Sequence, residues 1–113
     1  MRSIKMLGEA KEKTMSKWAD YLVSGVRYDA DHNYISKLKV HEDKETELGT
    51  GELIDRALVI KAINNGKSFE TVVKAEKWER GQPIIVVKIN SNYYLKTTSN
   101  NIEVDNLENL PEV

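Results

Sequence analysis

Cysteine is absent from the 113 residues. Disulfides, thiolate zinc sites and cysteine nucleophiles are thereby excluded, and a reducing compartment is permitted. No apolar run approaches the roughly 20 residues that a membrane helix needs. The opening MRSIKMLGEAKEKTMSKW lacks the long apolar stretch of a secretory signal. Together these absences predict a cytoplasmic protein with no membrane partner. A strong charge of one sign is missing too: 17 Lys and Arg stand against 18 Asp and Glu. Domains that coat nucleic acid are usually strongly basic, because counterion release rewards clustered cations. Nucleic acid is therefore a disfavoured partner.

What remains is an ordinary single-domain composition, 40% hydrophobic and 31% charged. At this length, folding hides roughly 65% of the surface that an unfolded chain exposes, which suffices without staples. Residues 1–18 carry only a weak helical stripe (Ile4, Leu7, Met15 and Trp18, interrupted by Lys11 and Thr14) and read as an arm or short helix. Residues 19–113 read as one domain. YLVSGVRY and YISKLKVHE alternate around the turn formers of DADHN and predict a β-hairpin. Strict alternation puts Tyr21, Val23 and Arg27 on one face, with Leu22, Val26 and Tyr28 on the other. It likewise opposes Leu38 and Val40 to Ile35, Lys37 and Lys39.

EDKETELGTGEL reads as a surface loop. A helix of about three turns follows, with Asp55 as N-cap, Ile54 and Val59 at staple spacing, and Asn64-Asn65-Gly66 as its stop. Its apolar stripe is Leu58, Val59, Ala62 and Ile63. SFETVVKAEKW, IIVVKI and YYLKTT then predict three strands, with ERGQP and Asn90-Ser91-Asn92 as turns. The fold class is α+β: a small antiparallel sheet of about five strands, in the order β-hairpin, one helix, β-meander.

The chain ends on DNLENLPEV. Ordering residues 99 to 111 costs roughly 1–2 kcal/mol of backbone entropy per residue. Burying Leu107 and Leu110 returns only about 1.5–3 kcal/mol each. A docked C-terminal tail therefore needs further anchors, for which Ile102, Val104 and the asparagines are available, with Asp105 capping a short turn. Val26-Arg27-Tyr28-Asp29, Asn65-Gly66-Lys67-Ser68-Phe69, Tyr94-Leu95-Lys96-Thr97, Asp105-Asn106-Leu107 and Asn109-Leu110-Pro111 together resemble the small bacterial and phage proteins of domain-of-unknown-function family 3892. The likeness covers roughly residues 21 to 112; the charged loop near 42 to 53 and the EKWERGQP turn depart from it. It implies a compact soluble domain and supplies no reaction.

Candidate chemistry is sparse. DADHN starts like a calcium loop, but Tyr34 stands where glycine is needed and Val40 where a bidentate glutamate is needed. His32 and His41 lie at opposite ends of a strand, too far apart to share a metal, and read as exposed polar residues. Ser24 and Ser36 face their own hairpin with nothing to mark an activated nucleophile. Gly49-Thr50-Gly51 lacks the Lys-Ser/Thr of a phosphate loop. Arg27, Lys37 and Lys39 with Tyr28, Tyr94 and Lys96 are the candidate ligand-binding set, since basic residues among aromatics can hold a nucleotide. Arg27 and Lys96 are expected to converge on one anion. Trp18 and Trp78 are candidate partner contacts, and an open sheet edge would allow a homodimer.

No cofactor is expected. The leading expectation is a non-catalytic binding or inhibitory module for a protein or nucleotide ligand. The family's occurrence in phages implies sequestration of a host defence component as one form. The alternatives are a small enzyme acting on a nucleotide or similar anion, and a weak nucleic-acid binder.

Overall fold

Eight residues, Tyr21–Tyr28, form strand β1, the middle strand of a five-stranded sheet. The computed structural model describes residues 17–31, 34–45, 47–98, 102, 104–107 and 110–113. The N-terminal segment 1–16 and His32 lie outside the described residues. After β1 come β2 (Ile35–Glu42), β3 (Glu52–Asp55), helix α1 (Arg56–Asn64), β4 (Phe69–Lys74), β5 (Trp78–Pro83), β6 (Ile85–Ile89) and β7 (Asn92–Lys96). Five strands form one sheet in the order β3-β2-β1-β4-β5, and β6 pairs with β7 in a second. The class is α+β.

The sheet is mixed rather than antiparallel throughout. β1 runs parallel to β4 over Tyr21–Val23. Direction explains it: β2 and β3 reverse in turn, and α1 reverses once more, so β4 enters along β1. Nor is there a meander after the helix. WERGQP, expected to turn, is strand β5, and the turn falls just before it at 75–77. Arg80 Nε and Nη2 donate to the two carboxylate oxygens of Glu70, at 2.7 and 2.9 Å, and Gln82 N donates to Thr71 Oγ1. Gly81 permits this approach, because a Cβ there would lie 2.1 Å from Thr71 Oγ1. Pro83 ends the strand on the sheet edge, where a missing donor is harmless. The β6–β7 hairpin turns through Asn90 (φ 51°) and Ser91 (φ 71°), the two left-handed residues of a tight two-residue loop.

Two irregularities in the β1–β2 ladder overturn the simple alternation. Register shifts fall between Val23 and Gly25 and between Arg27 and Tyr28. Each inserts a residue and exchanges the faces beyond it. Tyr21, Val23, Val26 and Tyr28 therefore all pack into the main core, which Ile35 joins beside Leu38 and Val40. Leu22 stays on the other face, in a small cluster with Ala19, Val72, Trp18, Leu48 and Trp78.

The helix lies on the main core through Val59, with Ile60, Ala62 and Ile63 half-buried. Leu58 is 57% exposed and leaves the stripe. Asp55 makes no side-chain cap bond; its carboxylate is taken instead by Lys37 across the β2–β3 ladder. The stop is as expected. Gly66 adopts φ 97°, Gly66 N bonds Ile63 O and Lys67 N bonds Ala62 O, which satisfies the last carbonyls.

The tail is docked, by some of the anchors expected and by one that was not. Ile102 is 62% exposed; Leu107 is buried and Leu110 half-buried. The main fastening is the fully buried Asp105 carboxylate. It accepts from Ile35 N (2.7 Å), Leu95 N (2.8 Å) and Arg56 Nε and Nη2 (2.7 and 3.0 Å). Among the described residues it caps no local turn; it joins β2, β7 and the start of α1. Beyond it, Val26 N bonds Pro111 O and Val113 N bonds Val26 O, so the last residues extend the sheet along β1 where β4 stops. Gly25 admits them, since a Cβ would sit 2.7 Å from Val113 Cγ1 and 3.2 Å from Pro111 O. Asp105→Ala strands two buried amides and a guanidinium and should cost about 3–5 kcal/mol. The check is a fall in urea midpoint at unchanged slope. Truncation after Thr98 removes the whole clip and should lower the melting temperature further.

Candidate functional site

A cleft opens between α1 and one end of the main sheet. It holds about 730 Å³. Val40, Val59 and Phe69 form a buried floor, and Leu58 and Ala62 of α1 form one side. Tyr21 and Phe69 stack at 5.1 Å with ring planes 29° apart. Lys44, Lys61 and Lys67 stand among the lining residues with Glu42 and Glu52. The exposure of Leu58 is thereby placed: it faces an open cleft rather than the core. The Tyr21–Phe69 wall is clasped from below. Asp20 N donates to Ser68 Oγ, and Ser68 N and Oγ donate back to Asp20 Oδ2, at 2.9, 2.9 and 3.2 Å. These bonds, the backbone one first, hold the Asp20 carboxyl below its ordinary value.

Arg27, Lys37 and Lys39 do share a face of the β1–β2 ladder. Arg27 pairs directly with Lys37, and Gly25 with Lys39. Arg27 Nε donates to Val113 O at 3.1 Å, and Lys37 is ion-paired with Asp55. Tyr28 lies half-buried on the core face, its phenol raised above the usual value by burial and by Glu112 and Asp105. Tyr94 is buried and stacks on Tyr34 at 5.8 Å. Lys96 is 1% exposed and its ammonium donates to Ile102 O and Val104 O, at 2.7 and 2.8 Å. Arg27 and Lys96 thus serve different stretches of the tail and do not meet on one anion.

Trp18 and Trp78 are half-buried in the small second cluster, where Lys74 lies 5.1 Å over the Trp78 ring. His41, read from sequence as exposed, is 7% exposed and bonded to Ser24 and Gly49. No spacing rule pairs Ser24 with His41, because the register shift beside Ser24 brings them together.

Residues 23–111 match the family described as Protein of unknown function (DUF3892). The chain belongs to this family. No curated protein and no solved structure matches it. Several of the residues through which the chain resembles DUF3892 proteins now have physical roles. Lys96 and Asp105 fasten the tail, Leu107 fills the core, and Gly66 closes the helix. None of these lines the large cleft. Lys67 and Phe69, from the same family stretches, do.

The clasp under the cleft has a pH signature. A carboxyl lowered by folding contributes stability that is complete above its unfolded pKa. That stability is lost as pH falls through the lower, folded value. Below about pH 4 the wild type should therefore lose stability that Asp20→Asn does not lose. Thermal melts of both chains across the acid limb would register the difference.

Proposed function

We propose that this DUF3892 protein is a binding module whose cleft holds a nucleotide-like anion without transforming it. The observation that carries this reading is the make-up of that cleft. Its volume of about 730 Å³ falls in the range of small-molecule sites, roughly 300–1,000 Å³. A stacked Tyr21–Phe69 wall and an apolar floor suit a flat heterocycle. Lys44, Lys61 and Lys67 suit phosphates, while Glu42 and Glu52 can accept from hydroxyl or amino groups. In a phage setting, such a module would act by sequestering a host nucleotide signal.

Calorimetry and thermal melts with a panel of mono- and dinucleotides test the idea. A bound nucleotide at 100 times its Kd should stabilise the fold by about 2.7 kcal/mol. Lys61→Glu combined with Lys67→Glu should weaken binding by about tenfold or more, on the order of 1.4 kcal/mol. Absence of both heat and stabilisation at millimolar nucleotide would overturn the proposal.

A further inference from the structure

On the opposite sheet face Ser24 and His41 form a pair that lines no part of the cleft. Ser24 Oγ lies 2.7 Å from His41 Nε2, and His41 Nδ1 lies 2.9 Å from Gly49 O. A carbonyl oxygen only accepts, so Nδ1 carries the proton. Nε2 then presents a lone pair, and the Ser24 hydroxyl donates to it. This is the polarity that a serine nucleophile needs: a base aimed at Oγ, in a ring fixed by a third group. We propose that Ser24 is a nucleophile toward small esters of apolar acids. His41 is its general base and the Gly49 carbonyl positions the ring.

Three further observations fit a reactive pair better than a plain structural hydrogen bond. First, exposure is divided as the chemistry requires: the imidazole is buried and the serine half-buried. Second, positive charge is at hand. A Cβ on Gly51 would meet Lys39 Cε at 2.6 Å and His41 Nε2 at 3.1 Å, so the lysine stem and the basic nitrogen flank one point. Gly51 leaves that point open. Third, a pocket adjoins the pair. It holds about 290 Å³; Trp18, Leu22, Leu48 and Trp78 give it apolar walls, and Asp43, Glu45, Glu47 and Lys77 complete its lining. Leu22 faces His41 across the ladder, and the Trp78 ring lies 5.9 Å from the imidazole. A small acyl group fits that description.

The chemistry balances without a cofactor. Ser24 Oγ bonds to the ester carbonyl carbon as its proton passes to His41 Nε2. The carbonyl electron pair moves to oxygen, where the Lys39 charge favours it. Collapse breaks the ester C–O bond, and the leaving alkoxide takes the proton from the imidazolium. Water then repeats the sequence and releases the acid. Ser24 and His41 lie across the sheet from the nucleotide cleft and line no part of it, although Gly49, which positions the ring, also stands at the cleft's rim.

The test treats the full chain with an alkyl fluorophosphonate and maps the adduct by peptide mass spectrometry. Attack forms the Oγ–P bond, expels fluoride and leaves the proton on His41. A single adduct on Ser24 is expected, together with slow hydrolysis of p-nitrophenyl butyrate. His41→Gln should slow labelling by about 10²–10⁴-fold, with a melting curve to confirm folding. If that chain does not fold, Gly51→Ala takes its place, because it crowds the imidazole and Lys39 while leaving Ser24 intact. Wild-type protein that gains no adduct on Ser24 would overturn the proposal. So would a folded His41→Gln or Gly51→Ala chain labelled at the wild-type rate.

Discussion

The fold depends on one buried carboxylate. Asp105 comes from the last stretch of the chain, yet its oxygens are shared by the first residue of β2, the middle of β7 and the guanidinium that opens α1. Each of these groups would otherwise be a polar atom or charge in need of a partner away from water. Arg56 also donates to Tyr93 O and lies over the Tyr34 ring, so it binds the β6–β7 hairpin as well as the tail. Four backbone or side-chain donors on one carboxylate hold together elements that share no continuous ladder. The tail can then run on to Val113, and β1 acquires a neighbour along its second half.

A second constraint is the pair of irregularities in the β1–β2 ladder, an extra residue at Ser24 in β1 and another at Ser36 in β2. They let these strands feed two surfaces that strict alternation would have mixed. The core face keeps Val23, Val26 and Tyr28 together under the helix, while Leu22 and Ser24 go to the far face with His41. The large cleft belongs to the first face and the serine–histidine pair to the second. A molecule with nearly balanced charge thus carries two chemically different surfaces. One is a lysine-rimmed aromatic cleft, the other a basic row ending in a buried imidazole.

Much of the architecture was legible because local signals were strong. The hairpin, the helix with its glycine stop and the closing strand follow from period, turn residues and caps. The turn at WERGQP was misread because glycine and proline usually break strands. Here Gly81 is present so that the backbone can pass Thr71, and Pro83 ends an edge strand. Asp55 has the residue type of a cap but faces a lysine across a ladder, which no local window contains. The tail was expected to dock on leucines and isoleucine. Leu107 and Leu110 do pack on the core, but the isoleucine stays exposed and a buried aspartate is the main hold, because polar donors from three elements converge where it lies.

By itself, then, the sequence determined the β1–β2 hairpin, the helix, strands β4, β6 and β7, the α+β class and membership of DUF3892, since all of these rest on short-range patterns. β3, inside a stretch read as loop and helix start, and β5, read as a turn, were not legible. Tertiary structure decided which side chains meet. It placed Lys96 under the tail rather than beside Arg27, sent Leu58 into a cleft, and brought Ser24 within 2.7 Å of His41. The physical reason is register. A single inserted residue in a ladder exchanges the faces of everything beyond it, and nothing in the local hydrophobic pattern marks where that residue falls.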